Sequence, residues 1–83
     1  FMKWFLYVVQ CSDGTYYTGV TTNVERRVNE HNNSKRAAKY TKVRRPVKVI
    51  YSLVYESRSS AQKAEYRFKQ LTRKQKEEII NER

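Results

Sequence analysis

The sequence predicts a small α+β domain, a three-stranded antiparallel sheet flanked by helices in the order ββα(α)βαα. Three observations lead there. Two β-prone runs, Trp4 to Cys11 and Thr15 to Val20, are joined by the turn signal Ser12-Asp13-Gly14. A further run with period-two alternation spans Val47 to Tyr55. Elsewhere apolar residues recur at helical spacing behind side chains that favour helix starts.

Trp4 to Cys11 is continuously apolar and rich in aromatic and β-branched residues, which suits a strand buried on both faces. It is too short to cross a bilayer and shows no small-residue cleavage pattern, so no membrane segment or leader is read here and the chain reads as cytoplasmic. Phe1 ahead of Met2 carries no weight. Cys11 is the single cysteine. It excludes an internal disulfide framework and a cysteine-based zinc cluster, and reads as a small core or strand-end residue.

The turn sets the register. A two-residue Asp13-Gly14 turn would put Tyr7 and Tyr17 on opposite faces. A three-residue loop with Gly14 left-handed sets Tyr17 opposite Val9, so both tyrosines share a face as diagonal neighbours. Ser-Asp-Gly suits the longer loop, because a type I turn takes Ser and Asp and glycine fits the left-handed position.

Thr22 to Glu25 fits a capping box, with Thr22 as N-cap, opening a helix to about Asn32. Asn33 to Pro46 is polar and basic, with a short helix around Arg36 to Lys42. Val47 to Tyr55 would place Val47, Val49, Tyr51, Leu53 and Tyr55 on one face of the third strand. Ser59 to Gln62 resembles another capping box and starts a helix to about Leu71. Thr72 and Gln75 repeat the pattern for a last, highly charged helix. With 83 residues, two Gly and one Pro, the chain reads as one domain over 1–83 with a modest core.

Charge points to the partner. Eighteen Lys+Arg against eight Asp+Glu give +10, and no acid lies between His31 and Tyr55. That stretch holds Lys35, Arg36, Lys39, Lys42, Arg44, Arg45 and Lys48. Such a block attracts a polyanion, and nucleic acid is the commonest in the cytoplasm. A merely solubilising surface or an acidic protein or membrane partner is the alternative. Tyr40 and Tyr51 flank the stretch as base-stacking candidates or as core residues.

The helices carry charges on their apolar stripes. Val24, Arg27, Val28 and His31 share one side of the first helix. An arginine and a histidine there need partners, unless Arg27 snorkels past the edge and His31 serves the helix C-terminus. In the later helix Glu65 sits among Ala61, Ala64, Phe68 and Leu71. It is either paired, with Arg27 for instance, or at an edge reaching water, or a ligand for a hard cation such as Mg²⁺ or Mn²⁺. Two phenols, a guanidinium, an imidazole and a lone carboxylate are the parts of a one-metal phosphodiesterase. A two-metal site would need clustered carboxylates that the sequence lacks.

Phe5-Leu6-Tyr7, Tyr17-Thr18-Gly19, Glu25-Arg26-Arg27, Glu30-His31-Asn32 and Ala64-Glu65 with Phe68-Lys69 together resemble the GIY-YIG nuclease domain. The resemblance runs from Trp4 to about Ile80 and is closest to small stand-alone bacterial members. Each short motif is degenerate; the ten-residue spacing of the tyrosines, with Arg27 ten further on, makes the set specific. Phe5-Leu6 replaces Gly-Ile, Thr18 replaces the second Ile, and Val20 stands where several members carry lysine.

The resemblance implies a metal-dependent endonuclease that hydrolyses DNA by structure rather than sequence, in the setting of DNA repair. Its catalytic residues would be Tyr7, Tyr17, Arg27, His31 and Glu65, with Glu65 holding a single Mg²⁺ or Mn²⁺. Tyr7 would be the general base for water and Tyr17 would orient water or phosphate, or the reverse. An ordinary phenol has a pKa of about 10, so the base role asks Arg27, the metal and His31 to lower it. Lys35, Arg36, Lys39, Tyr40, Lys42, Arg44 and Arg45 would guide the nucleic acid, mostly through phosphates. A silent nucleic-acid-binding module of the same fold and a structural partner of an acidic protein are the rival classes. A protein partner supplying targeting is left open.

Overall fold

The computed structural model describes residues 2–82. Chain order is β1 (Trp4–Gln10), β2 (Tyr16–Thr21), α1 (Val24–Asn33), α2 (Lys39–Lys42), β3 (Lys48–Tyr55), α3 (Arg58–Lys69) and α4 (Arg73–Asn81). The sheet is antiparallel, in the order β2-β1-β3. This is the α+β architecture that the sequence predicts.

The central place of β1 explains its unbroken apolar run. Leu6, Tyr7, Val8 and Val9 are all buried, but on alternate faces. Leu6 and Val8 join Ala64 and Phe68 of α3, with Leu71, Ile79 and Ile80 packed against them. Tyr7 and Val9 join Cys11 and Val47, covered by Val24 and Val28 of α1. Each face of the strand therefore has its own helical cover.

The β1–β2 hairpin has the longer loop. Val9 lies opposite Tyr17 and Tyr7 opposite Gly19. Gly14, at φ 85°, takes the left-handed position, and its N–H donates to the Cys11 carbonyl at 2.9 Å. The Asp13 carboxylate accepts from both the backbone N–H and the hydroxyl of Thr15. These local bonds fix the register, and with it the shared face of the tyrosines.

Two helix starts differ from expectation. Asn23, not Thr22, caps α1, its side chain accepting from the Arg26 N–H at 3.0 Å. Asparagine outranks threonine as an N-cap, and Thr21 supports it by accepting from the Asn23 N–H. Helix α3 begins earlier than Ser59, because Ser57 and Ser60 form the reciprocal capping box. The Thr72–Gln75 box of α4 is as predicted.

The single-face reading of β3 is also corrected. Pairing shifts between Val8 and Val9, where Tyr51 faces Val8 and Val49 faces Val9, leaving Ile50 as the extra residue. A bulge of this kind breaks period-two alternation. Val47 consequently packs with Tyr7 and Val9, whereas Ile50, Tyr51 and Tyr55 pack with Leu6 and Val8. Val49 and Leu53 are left exposed.

Candidate active site

Tyr7 lies on the inner side of α1, and its ring crosses the neighbouring strand above Gly19. A Cβ built on Gly19 would stand 2.7 Å from the Tyr7 hydroxyl and 2.8 Å from its Cζ. Any side chain there would displace the phenol, so the glycine creates the passage through which the ring reaches its partner. That partner is His31, whose Nε2 is 2.8 Å from the hydroxyl.

The protons of this contact follow from the next link. His31 Nδ1 is 2.8 Å from the hydroxyl oxygen of Thr41, itself 3.0 Å from the Ala38 carbonyl. A carbonyl only accepts, so Thr41 donates to Ala38 and accepts from His31 Nδ1–H. His31 is then a neutral imidazole whose Nε2 accepts from Tyr7. Tyr7, His31 and Thr41 are among the most deeply buried side chains described.

Electrostatics agree with that assignment. Burial, with Arg27 and then Arg45, pushes the His31 pKa down to about 4, against the pull of Glu30. Burial, then the neighbouring Tyr17, pushes the Tyr7 phenol up to about 12, although Arg27 draws it down. Among the protein's own groups desolvation outweighs Arg27, and the neutral His31 adds no positive charge, so these groups alone do not lower the phenol.

Glu65 also contributes to raising the Tyr7 phenol. Tyr17, Arg27 and Glu65 thus all act electrostatically on one hydroxyl, and His31 touches it. Arg27 arrives from α1, tethered through one nitrogen to the Glu30 carboxylate and the Arg36 carbonyl, each at 2.9 Å. Tyr17 sets its ring edge-on to His31 at 5.3 Å and stacks on Tyr40 at 6.1 Å. Glu65 comes from α3 on the opposite side of the sheet. It pairs with Lys69 at 3.3 Å rather than with Arg27.

The donor set around Glu65 bears on the metal. Among the described residues no group of three or more His, Cys, Asp or Glu could hold an ion. One carboxylate oxygen donor fits Mg²⁺, which commonly keeps several waters and takes one or two carboxylates plus substrate phosphate. It does not fit a closed protein cage.

The basic segment divides. Lys35, Arg36, Lys39 and Lys42 are exposed. Arg44 instead bonds Asp13 at 3.1 Å and the Tyr40 carbonyl at 2.9 Å, with its guanidinium 3.8 Å over the Tyr40 ring. Arg45 donates to the carbonyls of His31 and Ser34 at the end of α1. Both have structural tasks that the sequence did not separate from binding. Tyr51 stacks on Phe68 in the core. Tyr40 remains at the surface.

Sequence reasoning passed over Thr41, Glu30 as the tether of Arg27, and the linking role of Asn32. The Asn32 amide both donates to and accepts from the Val47 backbone, joining the end of α1 to the approach of β3. No helix among the described residues is long and apolar enough to cross a membrane.

Comparison with known proteins gives a consistent pattern. The family model described as the GIY-YIG catalytic domain matches residues 3–78. A UPF0213 protein of Listeria innocua is 56% identical over 79 residues, covering 95% of this chain and 87% of that protein. One from Halobacterium salinarum is 54% identical over 75 residues, covering 90% and 96% respectively. The solution NMR structure of the E. faecalis protein EF2693 matches with a TM-score of 0.65 at 51% identity, covering 95% of this chain and 83% of that one. That of a UPF0213 protein from Bacillus halodurans matches at 0.62 and 38%, covering 96% and 84%.

Proposed function

Because the chain belongs to the GIY-YIG catalytic-domain family, we propose that it is a metal-dependent endonuclease cutting DNA phosphodiester bonds, guided by DNA structure rather than sequence. The observation carrying this reading is the buried Tyr7 hydroxyl on His31 Nε2, with Arg27 and Glu65 both acting on it. A purely structural tyrosine has no need of three such neighbours.

In this reading a phenol near 12 facing an imidazole near 4 is not ionised at rest. Tyr7 therefore acts as a shuttle rather than as a preformed phenolate. As the attacking water forms its bond to phosphorus, it passes a proton to the Tyr7 oxygen, and the Tyr7 proton moves to His31 Nε2. The P–O ester bond opposite the water breaks, and the leaving oxygen departs with that electron pair. Thr41 holds the imidazole in the accepting tautomer, and the field of Arg27 stabilises charge growing on the phosphoryl oxygens. Tyr17, edge-on to His31, orients the water or phosphate. Glu65 would hold a single Mg²⁺ or Mn²⁺, whose Lewis acidity would polarise the phosphate and stabilise the leaving oxygen.

Lys35, Arg36, Lys39, Tyr40 and Lys42 would meet DNA, largely at phosphates. The setting proposed is cytoplasmic, in DNA repair, with targeting supplied by DNA shape or by a protein partner. One observation favours a second reading, a silent nucleic-acid-binding module. The Glu65 carboxylate is already paired with Lys69. Mg²⁺-dependent nicking of branched or flapped DNA, lost in a folded Glu65→Ala variant, supports the enzyme. Salt-sensitive binding with no cleavage by either protein supports the silent module instead.

A further inference from the structure

Four elements converge on a cleft of about 250 Å³ beside the edge of β2, lined by Tyr16, Tyr17, Thr18, Tyr40, Lys69 and Lys76. We propose that this cleft takes one unpaired nucleotide, its base against the tyrosines and its phosphate on Lys76, so that single-stranded DNA is the preferred substrate class. The inference rests on the nuclease reading for its biological sense, but its binding claim stands apart from cleavage.

The cleft falls short of the roughly 300–1,000 Å³ usual for small-molecule pockets, yet it suits one unit of a strand that continues into solvent. Its composition joins the two features by which single strands are held, stacking faces and cations along the backbone. Tyr40 is 36% exposed and parallel to Tyr17 within 22°; its ring already carries the Arg44 guanidinium at 3.8 Å, so a base takes the place of that cation or stacks beyond it. Tyr16 carries the Arg73 guanidinium 3.7 Å over its ring, adding a cation at the same end. Lys76 forms no salt bridge among the described residues, and its ammonium lies 5.8 Å over Phe68. A duplex has no use for the aromatic part, because its base faces are already stacked within the helix. Lysines alone would suffice for duplex phosphates.

The test is fluorescence anisotropy in EDTA, where nothing is cut, with a labelled oligothymidylate strand against a blunt two-stranded duplex of similar charge. The wild type should bind the strand more tightly than the duplex at equal salt. Tyr40→Ala should weaken strand binding at least about five-fold, the lower end for one lost stacked base, and weaken duplex binding by clearly less. Tyr40→Trp should keep strand binding. Lys76→Gln, on a different element, should lower the salt slope for the strand by about 0.7. Equal wild-type binding to both probes, or equal losses on both in Tyr40→Ala, would overturn the inference, as would an unchanged slope in Lys76→Gln. Strand selectivity in a protein that never cuts would sink the nuclease reading alone. Cleavage without strand selectivity would sink this inference alone.

Discussion

The Tyr7 hydroxyl lies 2.8 Å from His31 Nε2, and the two side chains are 1% and 0% exposed. The contact joins the central strand to α1, so one hydrogen bond serves both the fold and the proposed proton path. Tyr7→Phe should separate those roles. The ring keeps its packing over Gly19, while Nε2 is left as a buried acceptor without a donor, costing about 1–3 kcal/mol in urea unfolding. Nicking should fall by about a hundred-fold or more, the scale of lost proton transfer. A folded Tyr7→Phe protein that nicks at the wild-type rate would remove Tyr7 from the mechanism.

Gly19→Ala tests the passage over the strand. The new methyl would meet the Tyr7 oxygen and ring carbons at 2.7 to 3.0 Å, and the ring is too enclosed to withdraw. Overpacking of this kind costs about 1–3 kcal/mol. Activity should fall beyond what the stability loss explains, because the hydroxyl is displaced from His31. The measurements are a denaturant midpoint and a nicking rate taken well below it.

Thr41→Val keeps the shape of the side chain and removes the acceptor for His31 Nδ1–H. The imidazole then loses its reason to carry the proton on Nδ1. The ¹⁵N shifts of the His31 ring should move toward the Nε2–H tautomer or a mixture, and nicking should fall with little change in substrate affinity. A ring that stays in the Nδ1–H form would show that Thr41 does not set the tautomer.

The fold was legible wherever the deciding interactions are local. Ser12-Asp13-Gly14 specifies its own loop, and that loop sets the register that puts Tyr7 and Tyr17 on one face. Cap positions slipped by a residue or two because Thr22 and Asn23, or Ser57 and Ser59, compete within one turn. The bulge at Ile50 follows from packing against β1 and leaves no mark in alternation. At the site, helical spacing turned Arg27, His31 and Glu65 inward. The Thr41 contact spans ten residues across a segment without periodicity, and no pattern announces it. Likewise Arg44 and Arg45 read like their basic neighbours; only the carbonyls and the carboxylate they reach set them apart.

Stability should depend on pH through His31. Its pKa is near 4 in the fold and 6.5 in the reference state, so the unfolded chain binds the proton first as pH falls. The stabilisation is complete above about 6.5 and declines toward 4, for a total of about 3 kcal/mol. Asp13 and Glu30, both held below their ordinary values of 3.8 and 4.5 by hydrogen bonds, add their losses as pH falls through those values. Urea midpoints taken from pH 7 to about pH 5.5 therefore isolate the first part of the histidine's loss. A His31→Gln variant should show a flat profile over that window. An equally sloped profile would assign the dependence to other groups.

The Lys69–Glu65 pair makes the metal proposal measurable without any substrate. Lys69 Nζ is 3.3 Å from a Glu65 oxygen, and the two side chains are 51% and 22% exposed. A cation taking that oxygen must displace the ammonium or share the carboxylate with it. An exposed pair of this kind is worth about 0.2–1 kcal/mol, so Lys69→Gln should raise Mn²⁺ affinity by a few-fold at most. Glu65→Gln should abolish specific binding, and the double variant should resemble Glu65→Gln. Paramagnetic broadening of the amide signals of α3 around Glu65 reads all three proteins. Broadening that persists in Glu65→Gln would locate the ion on other ligands and leave Glu65 as the partner of Lys69 alone.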